Sequence, residues 1–164
     1  MRTFSTAVVL ATLITFGACA PAAPPPVDTS ADEAAMQAAT KTWGEAFNAG
    51  EVDRIVALYA EDAVVMPPNA PAVSGSAAIR EFMAAFVAEA KAGGLMMGLG
   101  ETGGGVSGDL GWHSGTYAVT NAAGVAVETG KWVETWRRAG GEWRMIRDIW
   151  NTDAAPTPPA APAK

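Results

Sequence analysis

The chain has 164 residues, with 17 acidic and 11 basic side chains, a net charge of −6, one histidine and one cysteine. The acidic balance argues against nucleic acid as a partner, because phosphate binding needs a basic face. A lone cysteine excludes an internal disulfide, and one cysteine with one histidine argues against a zinc site.

The chain opens on Met1-Arg2, followed by an uncharged apolar run from Ala7 to Phe16 and then Gly17-Ala18-Cys19. The run is too short for a membrane-spanning helix, and its layout is that of an export signal over residues 1–18. The small residues before Cys19 resemble the cleavage box of bacterial lipoproteins. That resemblance implies lipidation of Cys19 and a periplasmic-side anchor, and Ala20 in the next position implies the outer membrane. Cleavage at a neighbouring bond would instead discard Cys19 or leave it free. Residues 19–29 are expected to be a Pro/Ala-rich tether, with Pro21, Pro24, Pro25 and Pro26 favouring an extended chain. Residues 154–164, rich in Pro and Ala, are expected to be a loose tail. Between them, residues 30–153 leave roughly 125 residues, enough for one domain with its own core.

Ser30-Ala31-Asp32-Glu33 reads as a capping box opening the first helix. Met36, Thr40, Trp43 and Phe47 recur at helical spacing, and Asn48-Ala49-Gly50 ends the helix. A second helix is predicted over Val52 to Ala60, burying Ile55, Val56, Leu58 and Tyr59. A strand follows over Ala63 to Met66 and stops at Pro67-Pro68, and Ala72-Val73 returns. Ser74-Gly75-Ser76 opens a third helix reaching about Lys91, with Ile79, Phe82, Met83 and Phe86 on one face. The remainder is β: Leu95 to about Gly105, Leu110 to Thr120, and a hairpin of Val125–Arg138 and Glu142–Asn151 around Ala139-Gly140-Gly141. The glycines between Gly93 and Gly115 permit sharp curvature. Helices first and an antiparallel meander after them is an α+β order, expected as a curved antiparallel sheet wrapped like a cone around three helices.

Three segments carry a family resemblance. They are Trp43-Gly44-Glu45-Ala46-Phe47-Asn48-Ala49-Gly50-Glu51-Val52-Asp53 running into Leu58-Tyr59-Ala60-Glu61-Asp62-Ala63; Ser74-Gly75-Ser76-Ala77-Ala78-Ile79-Arg80-Glu81-Phe82; and Trp136-Arg137-Arg138 with Trp143-Arg144-Met145-Ile146-Arg147-Asp148-Ile149-Trp150-Asn151. Together they resemble the nuclear transport factor 2-like superfamily, in its SnoaL-like and ketosteroid-isomerase-like branch. The resemblance covers nearly the whole domain and is specific for fold; the fold hosts isomerases, cyclases, dehydratases and non-catalytic association domains.

A steroid isomerase of this fold uses a carboxylate base, a tyrosine and a protonated carboxylic acid. Carried over, the base position falls on Pro67, beside Met66, and the tyrosine position on Trp43, whose indole donates but cannot ionise. The third group falls on Glu134, which keeps its carboxyl. One group of three survives, so the standard isomerase mechanism is not supported.

In the carry-over Glu134 faces the interior, and period-two alternation places Trp132 and Trp136 beside it. A turn centred on Gly140 pairs Glu134 with Ile146 and Trp132 with Asp148, so Ile146, Asp148 and Trp150 also face inward, with the two carboxylates as diagonal neighbours. Trp43, Tyr59, Met66 and Phe86 complete the expected lining. Glu134 and Asp148 are the candidate catalytic groups, because burial among apolar walls raises a carboxyl pKa; the structural alternative pairs them with Arg144 or Arg147, or has them cap backbone at the cone mouth. The tryptophans either stack on a planar ligand or simply fill the core. Alternation leaves open whether His113, or Trp112 and Ser114, face inward. No cofactor is expected. Two functions follow: a lipid-anchored domain binding a small apolar molecule, with isomerase- or cyclase-like acid/base chemistry by Glu134 or Asp148, or a non-catalytic association module. In the second, the outer sheet face of Val125, Val127, Thr129, Val133, Met145 and Ile149 forms a homodimer or docks a partner.

Overall fold

In the computed structural model residues 27–154 are described. The expected leader, Cys19, most of the tether and all but Ala154 of the tail lie outside the described residues.

The first helix, α1 (Ser30–Ala49), begins one residue earlier than the capping pattern suggests. Thr29 is the N-cap, and its hydroxyl donates to Glu33 Oε1 at 2.7 Å. The Ser30 amide donates to Asp28 Oδ1 at 3.0 Å, so Ser30 is the first helical residue and not the cap. The buried stripe of α1 is Met36, Thr40, Trp43, Gly44, Ala46 and Phe47, the recurrence that helical periodicity dictates. Gly50 closes the helix at φ +82°, a left-handed conformation that glycine adopts without a Cβ clash.

Helix α2 (Val52–Val56) is shorter than expected. Its predicted continuation is strand β1 (Tyr59–Met66). Tertiary pairing overrides the local pattern: Tyr59 pairs with Met145, and the Met145 amide donates to Leu58 O at 2.9 Å. A two-residue strand β2 (Val73–Ser74) precedes helix α3 (Ser76–Ala92), which buries Ile79, Met83, Val87 and Ala90. Four long strands then form a meander: β3 (Met96–Ser107), β4 (Leu110–Thr120), β5 (Ala126–Ala139) and β6 (Glu142–Thr152).

The six strands make one sheet in the order β2-β1-β6-β5-β4-β3. Every neighbouring pair is antiparallel except β1 and β6, which run parallel. The expected antiparallel sheet is therefore a mixed one. The cause is the free edge that the meander leaves at β6: β1 joins it from the helical half of the chain, with α3 and the meander as the long connection that parallel pairing requires.

The helices fill the concave side of the sheet, and the core runs from Met36, Trp43 and Phe47 of α1 through Ile55, Ile79 and Met83 to Trp136 and Met145. Asn48 fastens α1 to β3: its side-chain amide donates to Met97 O and its carbonyl accepts from the Met97 amide, each at 2.8 Å. At the other end of α1, Asp32 accepts from Arg138 at 2.6 Å and from the Trp143 indole at 3.0 Å, with the Arg138 guanidinium stacked 4.7 Å over the Trp143 ring. These two clamps set the depth at which α1 lies in the sheet.

Candidate functional site

The hairpin of β5 and β6 carries the acidic residues inward, in a register different from the one the turn alone suggests. Glu134 faces Asp148 directly, Trp132 faces Trp150, and Trp136 faces Met145. A bulge between Thr135 and Trp136 makes the difference. Beyond it, Ile146 is the extra residue and is only half-buried, while Met145 is fully buried in the core. Ile146 therefore leaves the expected lining, and Met145 leaves the expected outer face. An inserted residue shifts every side chain on one side of it relative to the partner strand, and the sequence carries no mark of where it falls.

Directly opposed residues on one sheet face place their Cβ atoms about 5 Å apart. Glu134 and Asp148 are both almost wholly buried, at 5% and 6% exposure. Neither meets the arginines expected as structural partners. Arg144 donates to Ala57 O and to Glu142, and Arg147 to Ile146 O. Burial therefore raises both carboxyls: Glu134 is pushed up to about 8, with the neighbouring Asp148 charge adding to the burial effect, and Asp148 to about 6. The two titrate as a pair, and near neutral pH they share a proton, because two ionised carboxylates in an apolar setting repel each other.

Different hydrogen bonds divide the pair. Asp148 ends a donor chain: the Trp43 indole donates to the Tyr59 hydroxyl at 3.0 Å, and Tyr59 donates to Asp148 Oδ2 at 2.5 Å. Burial and the Asp148 charge hold the Tyr59 phenol well above its ordinary range, so it remains a donor. Glu134 Oε2 lies 2.8 Å from Thr40 Oγ1 and 3.2 Å from the Trp136 indole nitrogen, both of them donors to a carboxylate. Thr40 in turn lies 2.9 Å from His113 Nδ1. His113 is the inward-facing member of its stretch, 4% exposed and edge-on to Trp132 at 5.0 Å, while Trp112 is exposed. Burial lowers the His113 pKa, so the ring is neutral at neutral pH.

Above the carboxyl pair lies a cavity bordered by Thr40, Trp43, Phe86, Trp132, Glu134, Asp148 and Trp150, with Met97, Leu99 and Tyr117 from the meander. Its free volume is about 40 Å³, room for roughly three water molecules. Phe82, Phe86 and Trp150 pack together along one side, with ring centroids 5.8–6.3 Å apart.

Of the residues expected to line a cavity, Trp43, Phe86, Trp132 and Trp150 border it beside Glu134 and Asp148. Tyr59 does not border it but holds Asp148 from behind. Trp136 has no exposed surface and is core, touching the site only through its bond to Glu134. Met66 is half-buried at the end of β1, pairs with Ile149 and does not reach the cavity. Thr40 and His113 were not among the expected site residues. Thr40 sits on the apolar stripe of α1 at helical spacing, so a hydroxyl in that stripe was the available signal. The trio Met97, Leu99 and Tyr117 could not be read, because a glycine-rich strand does not reveal its phase. Among the described residues no three or more His, Cys, Asp or Glu side chains gather as a metal site requires.

A family model, the SnoaL-like domain, matches residues 40–146. Among solved structures, the chain is similar to a nuclear transport factor 2-like protein with a cystatin-like fold from Novosphingobium aromaticivorans. The two are 20% identical with a TM-score of 0.70, over 76% of this chain and 84% of that one. It is also similar to a putative dehydratase of the same family from Streptomyces avermitilis, at 17% identity and TM-score 0.66, over 78% and 100% of the two chains. A ketosteroid isomerase-like protein from Erwinia carotovora atroseptica matches at 21% identity and TM-score 0.60, over 77% and 99%. At these identities the likenesses establish the fold alone, whereas the family match runs from Thr40 beside Glu134 to the bulge of the last hairpin: the chain belongs to the SnoaL-like domain family and carries the nuclear transport factor 2-like fold.

Proposed function

We propose that this domain binds a small, mostly apolar molecule in the cavity above Glu134 and Asp148 and moves a proton on it. The observation that carries the reading is the opposed pair of buried carboxyls, without an arginine partner, beneath an aromatic wall. Two titratable groups whose surroundings push their pKa values apart divide naturally into acid and base. In this reading Asp148, the more readily ionised, accepts a proton from the bound molecule, and Glu134 in its protonated form donates a hydrogen bond to the oxygen on which charge develops. The positions equivalent to the steroid isomerase base and tyrosine hold Pro67 and Trp43, so the chemistry is that of a different proton transfer, isomerase- or cyclase-like, without metal or cofactor. The volume of about 40 Å³ means that a ligand of more than a few atoms enters by displacing Trp150 or Phe86.

Export and lipidation at Cys19 complete the proposal, placing the domain on the periplasmic side of a membrane, with the outer membrane as the expected site. The test of binding is tryptophan fluorescence during titration with apolar cyclic compounds, with Glu134→Gln and Asp148→Asn as controls. A saturable change in the unaltered protein, weakened in either variant, is expected; no response to any compound overturns the binding reading.

A second reading, a non-catalytic association module, draws on the outer sheet face. There Val125, Val127, Val133 and Ile149 are 58%, 54%, 43% and 44% exposed. A dimer in sizing chromatography that Val133→Lys dissociates, together with a silent ligand screen, would favour it.

A further inference from the structure

His113 borders two surface grooves between α1 and β3, one with Gln37, Lys41 and Leu99, the other with Glu33, Met36 and Gly104; the first shares Thr40 and Leu99 with the cavity. Its ring is nevertheless tied inward. Thr40 Oγ1 stands between His113 Nδ1 at 2.9 Å and Glu134 Oε2 at 2.8 Å, and it also reaches Met36 O at 3.1 Å. A hydroxyl has one proton and can both donate and accept. Two arrangements connect His113 and Glu134 through that proton. Before a molecule binds and takes the Glu134 proton as its hydrogen-bond donor, protonated Glu134 donates to Thr40, Thr40 donates to Nδ1, and His113 carries its proton on Nε2. With Glu134 ionised, Nδ1–H donates to Thr40 and Thr40 donates to Oε2. The direct Nδ1 to Oε2 distance is 3.9 Å, too long for a hydrogen bond, so the hydroxyl is the only bridge between them among the described residues.

We propose that Thr40 and His113 form a proton relay connecting Glu134 to solvent in the groove between α1 and β3, so that this carboxyl exchanges its proton by a path other than the cavity. The step balances. The Glu134 proton passes to Thr40 Oγ1, the Thr40 hydroxyl proton passes to His113 Nδ1, and the Nε2 proton leaves to water in the groove. One proton departs, Glu134 becomes a carboxylate, and the neutral ring changes from the Nε2–H to the Nδ1–H tautomer; rotation of the proton pattern by the reverse path restores it. The charged groups around the ring are Glu33 and Lys41 at the groove rim from α1, Glu134 from β5 and Asp148 beyond it on β6, while β3 presents Thr102 and Gly104. Thr40 and His113 act through Glu134 and are positioning residues.

The relay rests on Glu134 as the proton-handling group but not on any ligand, so its test and the ligand screen fail independently. His113 is the only histidine in the chain, so nitrogen-15 labelling of histidine gives one pair of ring signals for the full-length protein. Raising the pH through the ionisation of Glu134 is expected to reverse the assignment of the protonated nitrogen, from Nε2 to Nδ1. Thr40→Ser should keep the reversal. Thr40→Val, which retains the charges and the packing shape, should abolish it, as should Glu134→Gln. A ring that holds one tautomer throughout in the unaltered protein, or a reversal that persists in Thr40→Val, overturns the relay. If Thr40→Val does not fold, Glu134→Gln decides: a reversal that persists there overturns it equally.

Discussion

Tyr59, the first residue of β1, donates its hydroxyl proton to Asp148 on the neighbouring β6 at 2.5 Å, 89 positions away in sequence. The bond ties the helical half of the chain to the last hairpin, and it singles out one of two buried carboxyls. It lowers the Asp148 pKa against the rise that burial imposes, and nothing comparable from β1 reaches Glu134.

Tyr59→Phe removes that donor and also leaves the Trp43 indole without its acceptor. The expected cost is about 1–3 kcal/mol, the penalty for unsatisfied buried polar groups. The Asp148 pKa should rise further, narrowing its separation from Glu134. Urea denaturation measures the first effect and carboxyl carbon-13 titration the second; an unchanged Asp148 titration would contradict the assignment.

The carboxyl pair also governs how stability depends on pH. Both groups have folded-state pKa values above their unfolded ones, near 6 and 8 in the fold. Between the ordinary carboxyl range and those values the native state binds more protons than the unfolded chain, so stability falls as pH rises through about 4 to 8. The slope is at most about 1.4 kcal/mol per pH unit for each proton. Glu134→Gln should flatten the upper part of this window and Asp148→Asn the lower part, as melting temperatures across the range would register.

Trp150 lines the cavity, stacked on Phe86 and tilted against Phe82. Trp150→Ala should enlarge the hollow and strengthen binding of single-ring apolar probes, which calorimetry would detect as a new or tighter site. Trp136→Ala is the contrast. That ring has no exposed surface, and its loss should cost about 3–5 kcal/mol without creating a comparable gain in binding.

Asn48 holds β3 by two bonds of 2.8 Å to the Met97 backbone. Asn48→Ala should destabilise the fold by about 1–2 kcal/mol and speed exchange of the Met97 amide far more than that of amides in β5. Uniform acceleration across the sheet would mean that the clamp acts on global stability and not on the seating of β3 against α1.

Much of the architecture was legible because it follows from local periodicity. The stripe of Met36, Thr40, Trp43 and Phe47 announces a half-buried helix, Gly50 its end, and Trp132, Glu134 and Trp136 one face of a strand. Those patterns dictate an α+β order and bring the two carboxyls inward, because alternation along a strand is fixed by backbone geometry. What the tertiary structure alone decided is relative position. The bulge set Glu134 opposite Asp148 instead of Ile146, and expelled Ile146 from the inner face in favour of Met145. The parallel docking of β1 turned a predicted helical Tyr59 into the donor that marks Asp148. The glycine-rich β3 and β4 took their phase from α1, bringing Met97 and Leu99 to the cavity and His113 to Thr40. In each case the determining contact is between segments far apart in sequence, whose energies no local pattern records.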